Sequence, residues 1–353
     1  MTTHKIDKSL KVKELYNPTS AEKLQQRRIY GGNPTSLFEL NKIKYKWAFD
    51  LWKKMLNNTW FPEEVDMSID RKSYTKELTE GERNSYDRAL SQLIFMDSLQ
   101  TNQLVDNLNA YITAPELNLC LVRQAYEESI HSQSYAVMVD GISDESDLIY
   151  ELWRHDEKLK NKNDKIADIY NRFRNNPTDK NLILLLYANQ ILEGVFFYCG
   201  FAYIYALSYN QKILNSAKMN KFINRDEITH TLLFSKIIKT LKEEEYSRDI
   251  FKDYTFQQEV KELFLEGYEL EKEWGQYIVN GEILGLTNES IDMYVKHLVN
   301  ERRKAVKEPP LFENTKMPYS WIKNYTNFNE QRTNFFEQKV SNYSIGELSW
   351  DDF

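Results

Sequence analysis

Between residues 36 and 306, apolar positions recur at helical spacing in one long segment after another. No stretch alternates apolar and polar residues between hairpin turns. The pattern predicts helices over 36–58, 83–112, 116–140, 144–174, 182–207, 210–242, 257–280 and 286–306. Pro115 suits a first helical turn, Gly141 suits the position just past a last one, and Pro177 with Thr178 signals the start of the helix that follows. Residues 1–35 read as an extended arm ending in the turn YGGNPT, and 36–308 as one helical domain. Residues 309–353 read as an irregular, flexible tail rich in Asn and aromatics, of the kind that orders when it binds something. The chain is therefore expected to be all-α.

The segment LILLLYANQILEGVFFYCGFAYIYAL, residues 182–207, contains a single charged side chain, Glu193. Its length would span a bilayer, but that would place a carboxylate near the midplane at roughly 2.5–3.5 kcal/mol. A helix buried on all sides in a water-soluble bundle is also apolar all round. There the carboxylate needs a cation, and the segment supplies no basic residue to pair with it.

Composition narrows the field. The 353 residues are 41% hydrophobic and 28% charged, too polar for a polytopic membrane protein. The first residues show no apolar signal core. Net charge is −7 with the basic residues dispersed, so no phosphate-tracking block stands out and nucleic acid is not an expected partner. The two cysteines form no metal or redox spacing, which fits a reducing, cytoplasmic setting.

Two histidines close Glu-x-x-His motifs, Glu128–His131 and Glu227–His230. On a helix, positions i and i+3 share a face, so each motif aims a carboxylate and an imidazole at one point. A motif this short recurs by chance, but each is preceded, about a helix length earlier, by an acid in an apolar segment: Asp97 in LIFMDSLQ and Glu193. Four carboxylates cannot share an apolar core as anions without cations. Oxygen and nitrogen donors without thiolate suit two ions of iron or manganese, and paired Glu-x-x-His helices are the donor set of ferritin-like dimetal bundles.

Tyr135 stands four residues after His131, which puts its phenol on the ligand face, although an isolated tyrosine there also fits ordinary core. Phe197 and Phe201 follow Glu193 at i+4 steps, and Ile223 precedes the second motif. Such a lining would shield a reactive oxidant from water, and it is equally compatible with plain packing.

At these residues the chain resembles the radical-generating small subunit of class I ribonucleotide reductase. LIFMDSLQ, EESIHSQSY, ILEGVFFYCGF, INRDEITH and NTWFPEEVD carry the likeness, which runs from about residue 30 to 306 and returns at the C-terminus. The resemblance implies a ferritin-like homodimer whose dimetal site activates oxygen and oxidises a tyrosine to a stable radical. The radical is then relayed to a large catalytic subunit that reduces ribonucleotides. Residue by residue, it implies Asp97, Glu128 and His131 at one metal, Glu193, Glu227 and His230 at the other, and Tyr135 as the radical site. Phe197, Phe201 and Ile223 would be the radical's hydrophobic surroundings. Trp60, Asp226 and, on the tail, Tyr343 would form the transfer route, and the acidic end SWDDF would dock into the large subunit. Iron is the first expectation for the metal, with Mn/Mn or Mn/Fe pairs using the same ligand types, and a flavodoxin-like activase is a further conceivable partner. Two features depart from many relatives: KMPYSW replaces a more proline-rich segment, and no regulatory nucleotide-binding module precedes the helical region, so allosteric control is expected of the large subunit. A dimetal oxidase acting directly on its own substrate, and a metal-storage bundle, use the same fold. Trp60, Asp226 and Tyr343 favour the relay over both.

Overall fold

The computed structural model describes residues 7–144, 146–281 and 283–326. The α-helices, in chain order, are α1 (Lys46–Asn57), α2 (Ser68–Lys76), α3 (Glu80–Asp106), α4 (Pro115–Ile142), α5 (Ser146–His155), α6 (Glu157–Asn175), α7 (Asp179–Ile191), α8 (Tyr198–Tyr209), α9 (Leu214–Glu243), α10 (Tyr254–Val279), α11 (Asn288–Ala305) and the short α12 (Lys323–Thr326). The described residues contain no strand, only isolated bridges at Ser9–Thr178 and Tyr30–Ile112. The fold is the all-α, ferritin-like bundle expected.

Local chemistry sets most helix ends. Thr79 and Glu82 form a reciprocal capping box at the start of α3, Thr178 accepts from Asn181 N–H at 3.3 Å to start α7, and Asp253 accepts from Phe256 N–H at 2.8 Å to start α10. The helix expected over 83–112 ends at Asp106, the one expected over 144–174 is broken into α5 and α6, and two further departures have visible causes. The helix expected from Ser36 begins only at Lys46, because Ser36 sits in the left-handed region and Leu37 and Phe38 remain half exposed. Its cap comes from elsewhere: the carboxylate of Glu116, on α4, accepts the Lys44 and Tyr45 N–H groups at 3.0 and 2.7 Å. At its far end α4 runs through Gly141 instead of stopping before it. A Cβ there would lie 2.6 Å from Met67 Cβ, so this glycine serves close packing.

The core is built from α3 against α4 and the α7–α8 rod against α9, with α4 touching α9 and α3 touching α8. Helix α1 lies across α4 and α9, and α6, α10 and α11 wrap the outer side of α7. The span Asp179–Tyr209 is long and apolar enough to cross a membrane, but its most apolar 18-residue stretch is wholly buried inside the protein. The rod is not one regular helix. Leu192–Phe196 form a π-helical turn, with Glu193 inside it. Single π turns of this kind frequently interrupt α-helices at functional sites.

The arm is tied to the bundle. Leu10 N–H donates to Pro177 O and Thr113 N–H to Ile29 O, both at 2.7 Å. After α11 the chain turns irregular but stays packed as far as Thr326. Asn300 holds residues 311–315, Phe312 lies 4.5 Å from Tyr268 between ring centres, and Tyr325 stacks on Tyr205 at 4.5 Å. Tyr343 and the SWDDF end lie outside the described residues.

Candidate metal centre

Asp97 comes from α3, Glu128 and His131 from α4, Glu193 from the π turn, and Glu227 and His230 from α9. All six side chains are fully buried. They converge in two overlapping groups, Asp97–Glu128–His131–Glu227 and Glu128–Glu193–Glu227–His230, each with donor atoms within 4.8 Å of one another. The overlap refines the grouping drawn from sequence, which gave each glutamate to one metal. Glu128 sets one oxygen 3.3 Å from His131 Nδ1 and the other 3.2 Å from His230 Nδ1, and Glu227 does the same at 3.1 Å to each. Both glutamates straddle the pair of sites.

Each imidazole turns Nδ1 inward and Nε2 outward. His131 Nε2 lies 3.4 Å from Asp226 Oδ2, and His230 Nε2 lies 2.9 Å from Glu127 Oε2. The outer acid on α9 therefore serves the histidine of α4, and the outer acid on α4 serves the histidine of α9. An arginine backs each acid: Arg225 lies 3.3 Å from Asp226, and Arg123 lies 3.0 Å from Glu127. Trp60 Nε1–H donates to Asp226 Oδ2 at 2.7 Å, and the indole stacks on Phe222. Trp60, Asp226 and His131 thus form one continuous contact. Outer carboxylates of this kind fix the tautomer and aim of a metal-binding imidazole.

Sequence reasoning missed Glu127. The signal was present in the repeated acid-Glu-x-x-His, but spacing alone does not show that the acids cross over. It also missed the amide clamp on Glu193. Gln100 Nε2 and Gln124 Nε2 donate to Glu193 Oε1 at 2.5 and 2.6 Å, and Tyr170 O–H donates to Gln100 Oε1 at 2.8 Å. These are neutral donors from α3, α4 and α6, so they orient the carboxylate without neutralising it.

The electrostatics show what the cluster lacks. Burial pushes Asp97 and Glu193 well above the usual carboxylate range, and the neighbouring charge of Glu128 adds to it. At His131 burial opposes the charged form, but Asp226, Glu128 and Glu227 outweigh it and hold the imidazole well above its ordinary value. His230 is raised in the same way by Glu128, Glu227 and Glu127. Six inward atoms have no hydrogen-bond partner: Asp97 Oδ1 and Oδ2, Glu128 Oε2, His131 Nδ1, Glu193 Oε2 and Glu227 Oε1. Orphaned buried polar atoms of this type are what a native core avoids unless something else binds them. A pair of divalent cations satisfies both the orphan atoms and the unbalanced charge, so these residues fit a dimetal site.

Tyr135 is fully buried beside this cluster, and its hydroxyl makes no hydrogen bond. Burial, followed by the charges of Asp97, Glu227 and Glu128, holds the phenol well above its ordinary pKa. Phe197 and Phe201 stack at 5.7 Å just beyond the π turn, and Ile223 is buried one turn before Glu227.

Known proteins resemble this chain in sequence and in fold. The profile of the ribonucleotide reductase small-chain family matches residues 37–318. The ribonucleoside-diphosphate reductase subunit beta of Treponema pallidum is 38% identical over 97% of this chain and 98% of its own length. A ribonucleotide reductase R2 subunit from Clostridium botulinum superposes with a TM-score of 0.85 at 39% identity, over 90% of this chain and 99% of the other. The dimanganese(II)-NrdF of Streptococcus sanguinis, at 22% identity and a TM-score of 0.68 over 81% of this chain and 97% of the other, shares the fold. The chain belongs to the ribonucleotide reductase family as a class I small subunit. Its enzymatic class is that of an oxidoreductase, ribonucleoside-diphosphate reductase, in which a small subunit of this family works as a dimer with a large subunit.

Proposed function

We propose that Asp97, Glu128, His131, Glu193, Glu227 and His230 hold two metal ions, that Tyr135 carries a radical, and that Trp60, Asp226 and Tyr343 pass it to the large subunit. The observation that carries this reading is the pair of inward Nδ1 atoms, each facing both Glu128 and Glu227 in a fully buried cluster. Bound there, iron or manganese supplies the oxidising power, drawn from oxygen, that takes one electron from a phenol.

The chain's own residues supply the rest. Tyr135 is excluded from water, which protects an oxidised phenol from stray reductants. Asp97, whose charge bears on the phenol more strongly than that of Glu227 or Glu128, would be the acid to take the proton that leaves with the electron. The Asp226 carboxylate joins the Trp60 indole to the His131 imidazole, a path along which an electron moves as a proton shifts locally. Phe197, Phe201 and Ile223 keep the region apolar. Tyr343 and the SWDDF end extend the route across the interface to the large subunit, in a cytoplasmic setting, and a flavodoxin-like activase would serve a manganese-loaded form.

The test is spectroscopic. Protein supplied with Fe(II), or with Mn(II) and an activase, and then oxygen is expected to show a tyrosyl signal in electron paramagnetic resonance. Tyr135→Phe should abolish that signal while leaving two ions bound per chain. Two bound ions and no radical under any activator would overturn the assignment.

A further inference from the structure

We infer that Lys162, Glu271 and Arg302 are positioning residues that lock the π turn beneath Glu193 and so fix where that carboxylate stands. The inference rests on Glu193 being a metal ligand, as proposed above.

A π turn disturbs the regular ladder of an α-helix, so its backbone groups must find partners elsewhere or remain unsatisfied in the core. Here those partners are side chains from three other helices. Arg302, on α11, donates from Nε to Gly194 O at 2.9 Å. Lys162, on α6, donates from Nζ to Phe196 O at 2.7 Å. Glu271, on α10, accepts the Cys199 N–H at 3.0 Å through Oε1 and meets Lys162 Nζ at 2.5 Å through Oε2. Gly194 and Phe196 lie within the turn and Cys199 just after it, all on the C-terminal side of Glu193. One turn ahead of Glu193, Gln190 Nε2 donates to the backbone carbonyl of Arg302 at 2.8 Å, which ties α11 to the rod a second time.

These are costly groups to bury. Lys162, Glu271 and Arg302 are all at most 1% exposed, and a charge so deep is retained only with close partners. Lys162 Nζ also sits 4.1 Å above the Trp274 ring and 4.8 Å from that of Phe196, so aromatic faces share its charge. An ordinary apolar trio would fill this space more cheaply, and it could not hold two carbonyls and an N–H at set positions. Gly194 completes the device. A Cβ there would lie 2.7 Å from Arg302 Nε and 2.8 Å from Cδ, so only glycine lets the guanidinium reach the carbonyl.

On the far side, Gln100 and Gln124 grip the Glu193 carboxylate itself. The backbone is held from α6, α10 and α11, and the head from α3 and α4. Either hold alone would leave the side chain free to pivot.

The test uses the full chain without metal, then Mn(II) alone. Lys162→Met/Glu271→Gln removes the buried pair together and leaves no lone charge, and Gly194→Ala displaces Arg302 separately. Circular dichroism reports whether each variant folds. Hydrogen exchange in the metal-free protein is expected to speed up by roughly tenfold or more in peptides covering 192–200, with α4 unchanged. Mn(II) titration should then show one of the two sites weakened by about 10- to 100-fold and the other kept, as outer partners of metal ligands typically do. Unchanged exchange over 192–200 in a folded variant, or equal acceleration in every helix, would overturn the clamp. The exchange result does not depend on metal binding, so it separates failure of the clamp from failure of the ligand assignment. Should the double variant not fold, Gly194→Ala with unaltered exchange over 192–200 would overturn it equally.

Discussion

Glu127 and Asp226 occupy equivalent places, one residue before Glu128 and Glu227, but their surroundings differ. Asp226 is held below the usual carboxylate range despite burial, by Arg225, His131 and Trp60. Burial pushes Glu127 up, against the pull of His230 and Arg123. Only Asp226 also holds an indole, so the two histidines share a geometry while one of them alone connects to an oxidisable ring. We expect Glu127→Leu to weaken Mn(II) binding at the site facing His230 by about 10- to 100-fold and Glu127→Gln to weaken it less, because the amide oxygen still accepts from Nε2. Titration followed by electron paramagnetic resonance separates the two sites. Affinities equal to those of the parent would reduce Glu127 to a partner for Arg123. The six converging residues were legible in the sequence because two helix-period motifs and two lone acids in apolar segments stand out from their surroundings. Glu127, Gln100 and Gln124 were not. Their roles depend on which helix faces which, and neighbouring polar residues on a helix look alike until the packing is known.

Among the elements, α4 shows why a glycine is ambiguous on the page. Gly141 has the composition of a helix terminus, but the helix continues through it, since the glycine answers a close approach by Met67. Two effects compete in Gly141→Ala. Helix propensity favours alanine by about 1 kcal/mol, whereas a Cβ placed 2.6 Å from Met67 Cβ forces backbone displacement. Overpacking of that kind costs about 1–3 kcal/mol, and Met67 Cβ is not the yielding end of a side chain, so we expect net destabilisation. A lowered urea midpoint with an unchanged slope is the expected result, and a raised midpoint would show that the local backbone gives way freely. The late start of α1 has a similar cause. Apolar residues at 37 and 38 continue the helical period, but the cap that starts the helix is a carboxylate from α4, some seventy positions along the chain. Periodicity carries no trace of such a partner. The π turn was hidden for the same reason, because its stabilising groups come from three other helices.

For the whole molecule, the buried rod and the family relationship together answer why a carboxylate lies in the most apolar segment: the span is the inner wall of a metal-binding bundle. The packed segment reaches Thr326, where Trp321 stacks on Tyr209 and Tyr325 on Tyr205. This anchoring sets the point from which the remaining chain departs, and the Lys221 amine lies 3.5 Å from Asn324 O, one residue from the Phe222 ring that stacks on Trp60. The last described residues therefore pack against α9 close to Phe222. A chain ended at Val340 loses Tyr343 and SWDDF but keeps every packing contact described here. It is expected to bind metal and form the Tyr135 radical normally while failing to support ribonucleotide reduction with the large subunit. Full turnover by this shortened chain would remove Tyr343 and the acidic end from the transfer route.

The crossed pairing of outer acids and imidazoles makes the alignment of α4 against α9 a single mechanical variable. Sliding one helix past the other by a turn, about 5.4 Å, would break the Glu127–His230 and Asp226–His131 contacts in the same motion. Neither half of the centre can then drift while the other stays in place. A defect in either helix is thus felt on both sides of the cluster.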